Sequence, residues 1–546
     1  MRSDPSTLPA PRYVLKPDVV IEPLVAGWHA SCLLVSPLSM ALISAKRHLP
    51  MLESWLHDPD LHAAAVQDPD LLGGPFMDIP PPETQKVQAF LHWSRDALAA
   101  PLALAAALEE TWTLLEAHAK GQGLGDLYQA LPPALQGLTE LVYTPAGAPD
   151  IRPLEGLLYR SEYYIPALQQ ALVRRIPGDQ RSFSMATPRL PGPDDIVLDR
   201  PFCDPAYDVL ARARQQPMPL PVLLDAFNLE ASQAERLMPL LDEAPDTPTS
   251  PAVPPATSRW RYFGHACVLV ETADGRSILI DPVIAYESGQ APDRLTLADL
   301  PDHIDYLLIT HNHPDHALIE TLLALRWKTG TVLVPASSGS IVDPSLKACL
   351  QAIGFTHVQA LDSLERLDVN GLTLQAIPFL GEHADLDIRS KTSWLVDTGD
   401  LRLLFAADSN NLDPALYVRL KPVLGRLSAL FLGMECQGAP MSWLYGALLA
   451  RPPRHEHDQS RRLNGSDAER AWALVACLDV DEVLIYAMGL EPWLTFICGI
   501  DGSRDSLPLQ ESRRFVERCQ QHGIPARRLY GRDGSSHDDQ TITLTL

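Results

Sequence analysis

A chain of 546 residues with 46% apolar and 21% charged side chains has the composition of a globular protein able to bury a sizeable core, and its length suggests about three to four domains. Its 44 basic residues against 68 acidic ones leave a formal charge of -24, which argues against a nucleic-acid partner, an anionic lipid surface or a nuclease activity. The opening stretch MRSDPSTLPAPRYV lacks a charged-then-apolar signal, and the longest small-apolar run, ALAAPLALAAAL, is broken by Pro101 and too short to span a bilayer, so a cytoplasmic chain without membrane contact is expected.

In chain order, RYVLKPDVVIEPLV (12–25) carries β-branched pairs of strand type. SPLSMALISAKRHLPMLESWL (36–56) puts Ser36 at a helix N-cap, Pro37 at the first helical position and apolar residues at helical spacing. Residues 81–119 read as one or two helices bent at Pro101, and LGDLYQALPPALQGLTELVY (124–143) as another helix or two. Residues 175–222 are Pro-rich with few periodic segments. Residues 1–243 therefore read as a mixed, mainly helical domain without visible chemistry, suited to dimerisation or partner docking. A run of Pro, Thr and Ser follows, too poor in large apolar residues to pack a core, and marks a linker at 244–258.

From 259 to 546 the texture changes. Short apolar strands recur between turns: CVLVET, SILIDP, YLLIT, TVLVP, LTLQAIPF, TSWLVDT, LRLLFAAD, LSALFLGM and EVLIYAM. Helical stretches such as LIETLLALRW and DAERAWALVACL intervene, the second capped by Ser466 and Asp467. Strands this apolar are covered on both faces, which predicts an α/β fold: a two-sheet sandwich with flanking helices. The eight cysteines form no C-x-x-C pair and read as buried, reduced thiols.

Between the strand IDYLLIT and the helix ALIETLLALR lies HNHPDH, the strand-to-helix loop where α/β proteins place their sites. Alternate residues His311 and His313 can face one metal, while Asp315 and His316 turn toward a second. Histidines near a helix start can simply cap it. Imidazole and carboxylate crowded this closely, however, need a cation between them, and the donor types suit zinc or iron better than magnesium.

At these residues the chain resembles the metallo-β-lactamase superfamily, whose H-x-H-x-D-H signature is met by His311, His313, Asp315 and His316. The resemblance covers about residues 259–500 and implies an αββα sandwich, with Asp281 as a supporting aspartate and Asp408, ending LRLLFAAD, as the bridge between two metals. In IPFLGEHADLD either Glu382 or His383 can supply the later ligand, since neighbours on an extended chain point opposite ways. The last strand runs out at Met488 and Gly489, where a hydrolase usually places a final histidine. Three histidines with three carboxylates favour iron.

With the long N-terminal region, GEHADLD, FAADSN, MECQGAP and SRRLNGSD, the chain resembles the CmlA-type diiron monooxygenases of nonribosomal peptide pathways. That resemblance implies two irons held by His311, His313, Asp315, His316, Glu382 and Asp408, with His383 the alternative to Glu382. It implies O2 as co-substrate and β-hydroxylation of an aromatic or aliphatic amino acid, such as leucine. The amino acid is carried as a thioester on the carrier domain of a nonribosomal peptide synthetase. Two electrons come from an external donor protein or reductase, and a homodimer is expected. Glu435, after LSALFLGM, is expected near the metals as a catalytic residue gating or hydrogen-bonding the oxygen site. His455 and His457 in RPPRHEHDQSRR read as a polar, basic surface loop able to meet an acidic carrier, and His265 lies near the mouth of the site or is a satisfied buried histidine. The competing reading is a dinuclear zinc hydrolase, a thioesterase or lactonase, in which a bridging water attacks a carbonyl.

Overall fold

A computed structural model of the protein describes residues 11–68, 71, 73–244, 255–499 and 506–535. Most of the expected linker, residues 245–254, lies outside the described residues. The two-sheet sandwich forms as expected. Its first sheet contains β1 (Arg259–Gly264), β2 (Cys267–Glu271), β3 (Ser277–Ile280), β4 (Ile304–Leu308), β5 (Thr329–Pro335) and β6 (Val358–Leu361). The second contains β7 (Arg366–Val369), β8 (Leu372–Ile377), β9 (Ser393–Asp397), β10 (Arg402–Phe405), β11 (Ala429–Gly433), β12 (Val483–Tyr486) and β13 (Ala526–Arg528), and β14 (Asp533–Ser535) returns to the edge of the first. The orders are β6-β5-β4-β3-β2-β1-β14 and β7-β8-β9-β10-β11-β12-β13. Each sheet has an antiparallel half and a parallel half, and the parallel run β3 to β6 has its carboxyl ends at the site.

Side-chain alternation decides what each face meets. Val268, Ile278, Ile280 and Leu308 point between the sheets against Leu374, Trp394, Phe405 and Phe431. Their neighbours Leu269, Leu279 and Leu307 point outward, into a core shared with Ile319, Leu322, Phe202 and Leu210. The outer face of the second sheet is covered by helices Ala415–Leu424, Ala468–Val475 and Leu507–Gln521 through Tyr417, Leu474 and Phe515.

The N-terminal region is mixed, with strand Val19–Val25 paired along its whole length with Gln169–Arg175. Several expectations need correcting. Helices Thr84–Ala97 and Ala99–His118 do bend, by 69°, but at Leu98. Pro101 sits in the first turn of the second helix, whose first ladder bond is Leu102 N–H to Leu98 O, so its missing N–H breaks nothing. Residues 124–143 hold two short 3₁₀ turns, Gly125–Ala130 and Pro133–Leu135, and then strand Thr139–Tyr143, because Pro132 and Pro133 interrupt any α-helix there. Ser36 occupies the N-cap position of Pro37–Ile43 without a capping hydrogen bond from its side chain. At Ala468–Val475 the cap is Asp467 alone; Ser466 instead accepts from Asn411 N–H and donates to Ser409 O. All eight cysteines are free, but Cys203 is exposed and Cys436, Cys477 and Cys498 are half-buried. Among the described residues no single helix is long and apolar enough to cross a membrane; only the bent pair, taken together, reaches that length and composition.

Candidate metal centre

Every residue of the centre comes from a turn at one end of the two sheets. His311, His313, Asp315 and His316 follow β4, Asp281 follows β3, Glu382 and His383 follow β8, Asp408 follows β10 and Glu435 follows β11. Ligating atoms of His311, His313, Glu382 and His383 fall within 4.8 Å of one another, as do those of His311, His316 and Asp408, and those of His265, Asp315 and His316. The first two sets share His311, and the last two share His316.

The expectation that Glu382 and His383 point opposite ways is overturned. The chain is not extended there: Gly381, Glu382, Ala384 and Asp385 have φ of 78°, 69°, 52° and 57°, and His383 N–H closes back on Gly381 O. This left-handed turn sends both side chains to the same place. Glu382 Oε1 lies 2.8 Å from His313 Nδ1 and Oε2 lies 2.5 Å from His383 Nδ1.

The hydrogen bonds fix which imidazole nitrogens are free. Asp281 is fully buried and accepts from Thr310 N–H at 2.7 Å and from Thr310 Oγ1 at 2.6 Å. With its proton given to Asp281, Thr310 Oγ1 accepts from His311 Nδ1 at 3.0 Å, which leaves the lone pair on His311 Nε2. His316 Nδ1 donates to Asp281 at 2.8 Å, and its Nε2 faces Asp408 Oδ2 at 3.0 Å and Asp315 Oδ2 at 3.9 Å. Asp408 Oδ2 also stands 3.8 Å from His311 Nε2, between the two halves of the loop. His313 Nε2 is engaged by the buried Tyr445 hydroxyl at 2.8 Å, which leaves Nδ1 on the Glu382 side.

Two buried atoms are left without any partner, His311 Nε2 and Asp408 Oδ1, while Glu382 Oε2 and His383 Nδ1 meet only each other. Buried polar atoms converging from three turns are expensive to bury unless a cation satisfies them. The electrostatics agree. Burial pushes the His316 imidazole toward neutrality, yet Asp408, Asp281 and Asp315 hold it protonated well above the usual range; a proton stands where these carboxylates call for a positive charge. The donor set of histidines and carboxylates fits iron or zinc.

Glu435 lies among these carboxylates. Burial, then the charges of Asp408, Asp315 and Glu382, push its carboxyl well above the ordinary range. His455 and His457 lie on the exposed helical turn His455–Ser460 and take no part. His265 is fully buried, with Nε2 3.1 Å from Asp315 Oδ2. Tyr445, Thr310 and Lys391, which donates to Gly381 O at 2.9 Å and braces the Glu382 turn, were not legible in the sequence. Tyr445 meets His313 across 132 residues of chain, and no local pattern signals such a contact.

Two family models match the chain: the diiron non-heme beta-hydroxylase N-terminal domain over residues 14–245 and the beta-lactamase superfamily domain over residues 259–423. The chain is similar to the 4-amino-L-phenylalanyl-[CmlP-peptidyl-carrier-protein] 3-hydroxylase of Streptomyces venezuelae, with 40% identity over 531 residues covering 95% of this chain and 98% of that protein. The crystal structure of CmlA, a diiron beta-hydroxylase from Streptomyces venezuelae, matches with a TM-score of 0.88 and 38% identity over 96% of this chain and 99% of that one. A metal-dependent hydrolase of Enterococcus faecalis is 28% identical over 158 residues, which is 27% of this chain and 67% of that protein.

Proposed function

Since the chain belongs to the diiron non-haem β-hydroxylases, we propose that it hydroxylates the β-carbon of an aminoacyl group held as a thioester on the carrier domain of a nonribosomal peptide synthetase. The enzyme is an oxygenase, and the zinc hydrolase reading is set aside: likeness to a hydroxylase runs the length of the chain, whereas likeness to a hydrolase covers 27% of it. The near full-length identity to a carrier-dependent 3-hydroxylase is the observation that carries this reading. That relative is a hydroxylase of a 4-amino-L-phenylalanyl group on a peptidyl carrier protein, so aromatic aminoacyl groups are tried first here and aliphatic ones such as leucine second.

Two irons would be held by His311, His313 and Glu382 on one side and by Asp315 and His316 on the other, with Asp408 available to both sets. The stranded Nε2 of His311 and the unpartnered Oδ1 of Asp408 support this set, and His383 stands beside Glu382 as the other candidate donor. When bound, the irons supply the redox chemistry that reduces dioxygen, which zinc lacks. In the balance, one oxygen atom enters the C–H bond, the other leaves as water after taking up two protons from solvent, and an external donor protein or reductase provides two electrons. Glu435 stands at the edge of the centre, where it would gate or hydrogen-bond the oxygen site, and Asp281 and Tyr445 orient His316 and His313. The enzyme works as a homodimer, with the N-terminal region as the surface for the second copy or the carrier.

The test reconstitutes the purified protein with ferrous iron, adds a reductant, labelled O2 and a panel of aminoacyl carrier proteins, and follows the mass of the aminoacyl group. One labelled oxygen atom gained per aminoacyl group is expected. Thioester cleavage without oxygen uptake, or a protein inert toward O2 once loaded with iron, would overturn the reading.

A further inference from the structure

The place where a hydrolase delivers its last histidine is used differently here. Strand β12 ends at Tyr486, and the backbone beyond it closes on His265, in the turn between β1 and β2. His265 has a φ of 50°, a conformation that costs a side-chain-bearing residue free energy and persists only where the surroundings enforce it. Its neighbours do so atom by atom. His265 N–H donates to Glu491 Oε1 at 3.1 Å, a carboxylate that also accepts from Tyr262 Oη at 2.8 Å. His265 O accepts from Ala487 N–H at 2.9 Å. His265 Nδ1 accepts from Gly489 N–H at 3.2 Å, which leaves the ring proton on Nε2, 3.1 Å from Asp315 Oδ2. A nitrogen carrying that proton has no lone pair for a metal.

We propose that His265 is a positioning residue: clamped by the segment after the last strand, it donates from Nε2 to Asp315 and holds that carboxylate toward His316. This rests on the metal reading above. It assigns His265 to support rather than ligation, although it stands within ligating distance of Asp315 and His316.

The test compares His265→Gln and His265→Ala with the wild type, measuring ferrous iron bound per chain by equilibrium dialysis, the Mössbauer spectrum, and kcat separately from KM. Glutamine keeps both functions, an amide oxygen for Gly489 N–H and an N–H for Asp315. His265→Ala should lower affinity for one of the two irons by about 10–100-fold and alter the spectrum of that iron, and His265→Gln should restore most of both. If His265→Ala does not fold by circular dichroism, His265→Gln decides: near wild-type iron binding supports the proposal. Two irons at wild-type affinity with an unchanged spectrum in His265→Ala would overturn it. So would a folded His265→Gln that has lost the same iron, which is what direct ligation requires. Iron binding needs no carrier substrate, so failed hydroxylation with intact binding counts against the proposed function alone. A wild type that takes up no ferrous iron removes the premise and the proposal with it.

Discussion

Asp408 reaches its place because residue 433 has no side chain. A Cβ at Gly433 would lie 2.7 Å from Asp408 Oδ1 and 2.7 Å from Ala407 O, both closer than packing allows. The loop after β10 can therefore lie directly against the end of β11, and the Asp408 carboxylate stands between His311 and His316. Gly433→Ala should push Asp408 away from one or both histidines. Iron bound per chain, measured by elemental analysis after desalting, should fall by about 10-fold or more while the melting temperature shows the fold intact. Asp281 is constrained from the opposite side, since it accepts from Thr310 N–H, Thr310 Oγ1 and His316 Nδ1 at once. An amide has only one oxygen, so Asp281→Asn turns an N–H toward one of these donors. Iron affinity should drop by about 10–100-fold, read by titration with a competing chelator.

Helix Ile319–Leu325 begins three residues after His316 and carries the loop's position into the N-terminal region. Its Glu320 meets His29 Nε2 at 3.1 Å and Arg181 Nη1 at 2.9 Å. Arg181 also reaches Glu22 at 3.3 Å and lies over the Phe496 ring at 3.4 Å. Glu22 is fully buried and is further paired with Arg174 at 2.6 Å and Arg189 at 3.2 Å. Removing one member strands the others away from water, so Arg181→Met should lose about 3–5 kcal/mol in urea denaturation. The pH dependence follows from Glu22. Burial alone would raise its carboxyl, but Arg189, Arg181 and Arg174 outweigh burial and hold it far below the ordinary 4.5. A folded value below the unfolded one means that this stabilisation is complete above pH 4.5 and fades as pH falls below it. Urea midpoints taken between neutral pH and about pH 3 should fall less steeply in Glu22→Gln than in the wild type.

Across the whole molecule, one core joins the N-terminal region to the sandwich. Trp28, Leu52, Phe202 and Phe227 belong to the same buried cluster as Leu279, Leu307, Val332 and Val334 on the outer face of the first sheet. That face is apolar, and Phe202 and Leu210 pack on it beside Ile319 and Leu322. A fragment of residues 259–546 alone would expose it to water, at a transfer cost of about 25 cal/mol per Å². The fragment should be insoluble or bind a hydrophobic dye strongly, and co-expression with residues 1–243 should restore solubility. A monomeric, soluble fragment with a cooperative melt would show that the shared core is dispensable.

The sequence by itself determined the two-sheet architecture and the identity of most of the candidate donors. Alternating apolar strands can bury both faces in few ways, and H-x-H-x-D-H with carboxylates at later strand ends is a dense chemical pattern. It missed the strand at Thr139–Tyr143 and misplaced the helix bend, because local propensity competes with pairing partners that are distant in the chain. What Glu382 and His383 both face was decided only by the left-handed turn that follows Gly381, a backbone conformation no periodicity reports. The contacts of His265 with Asp315 and of Tyr445 with His313 were likewise decided by the tertiary structure alone. His265 and Asp315 lie in turns beside different strands and Tyr445 ends helix Met441–Tyr445, and only the packed sheets bring these segments to one place.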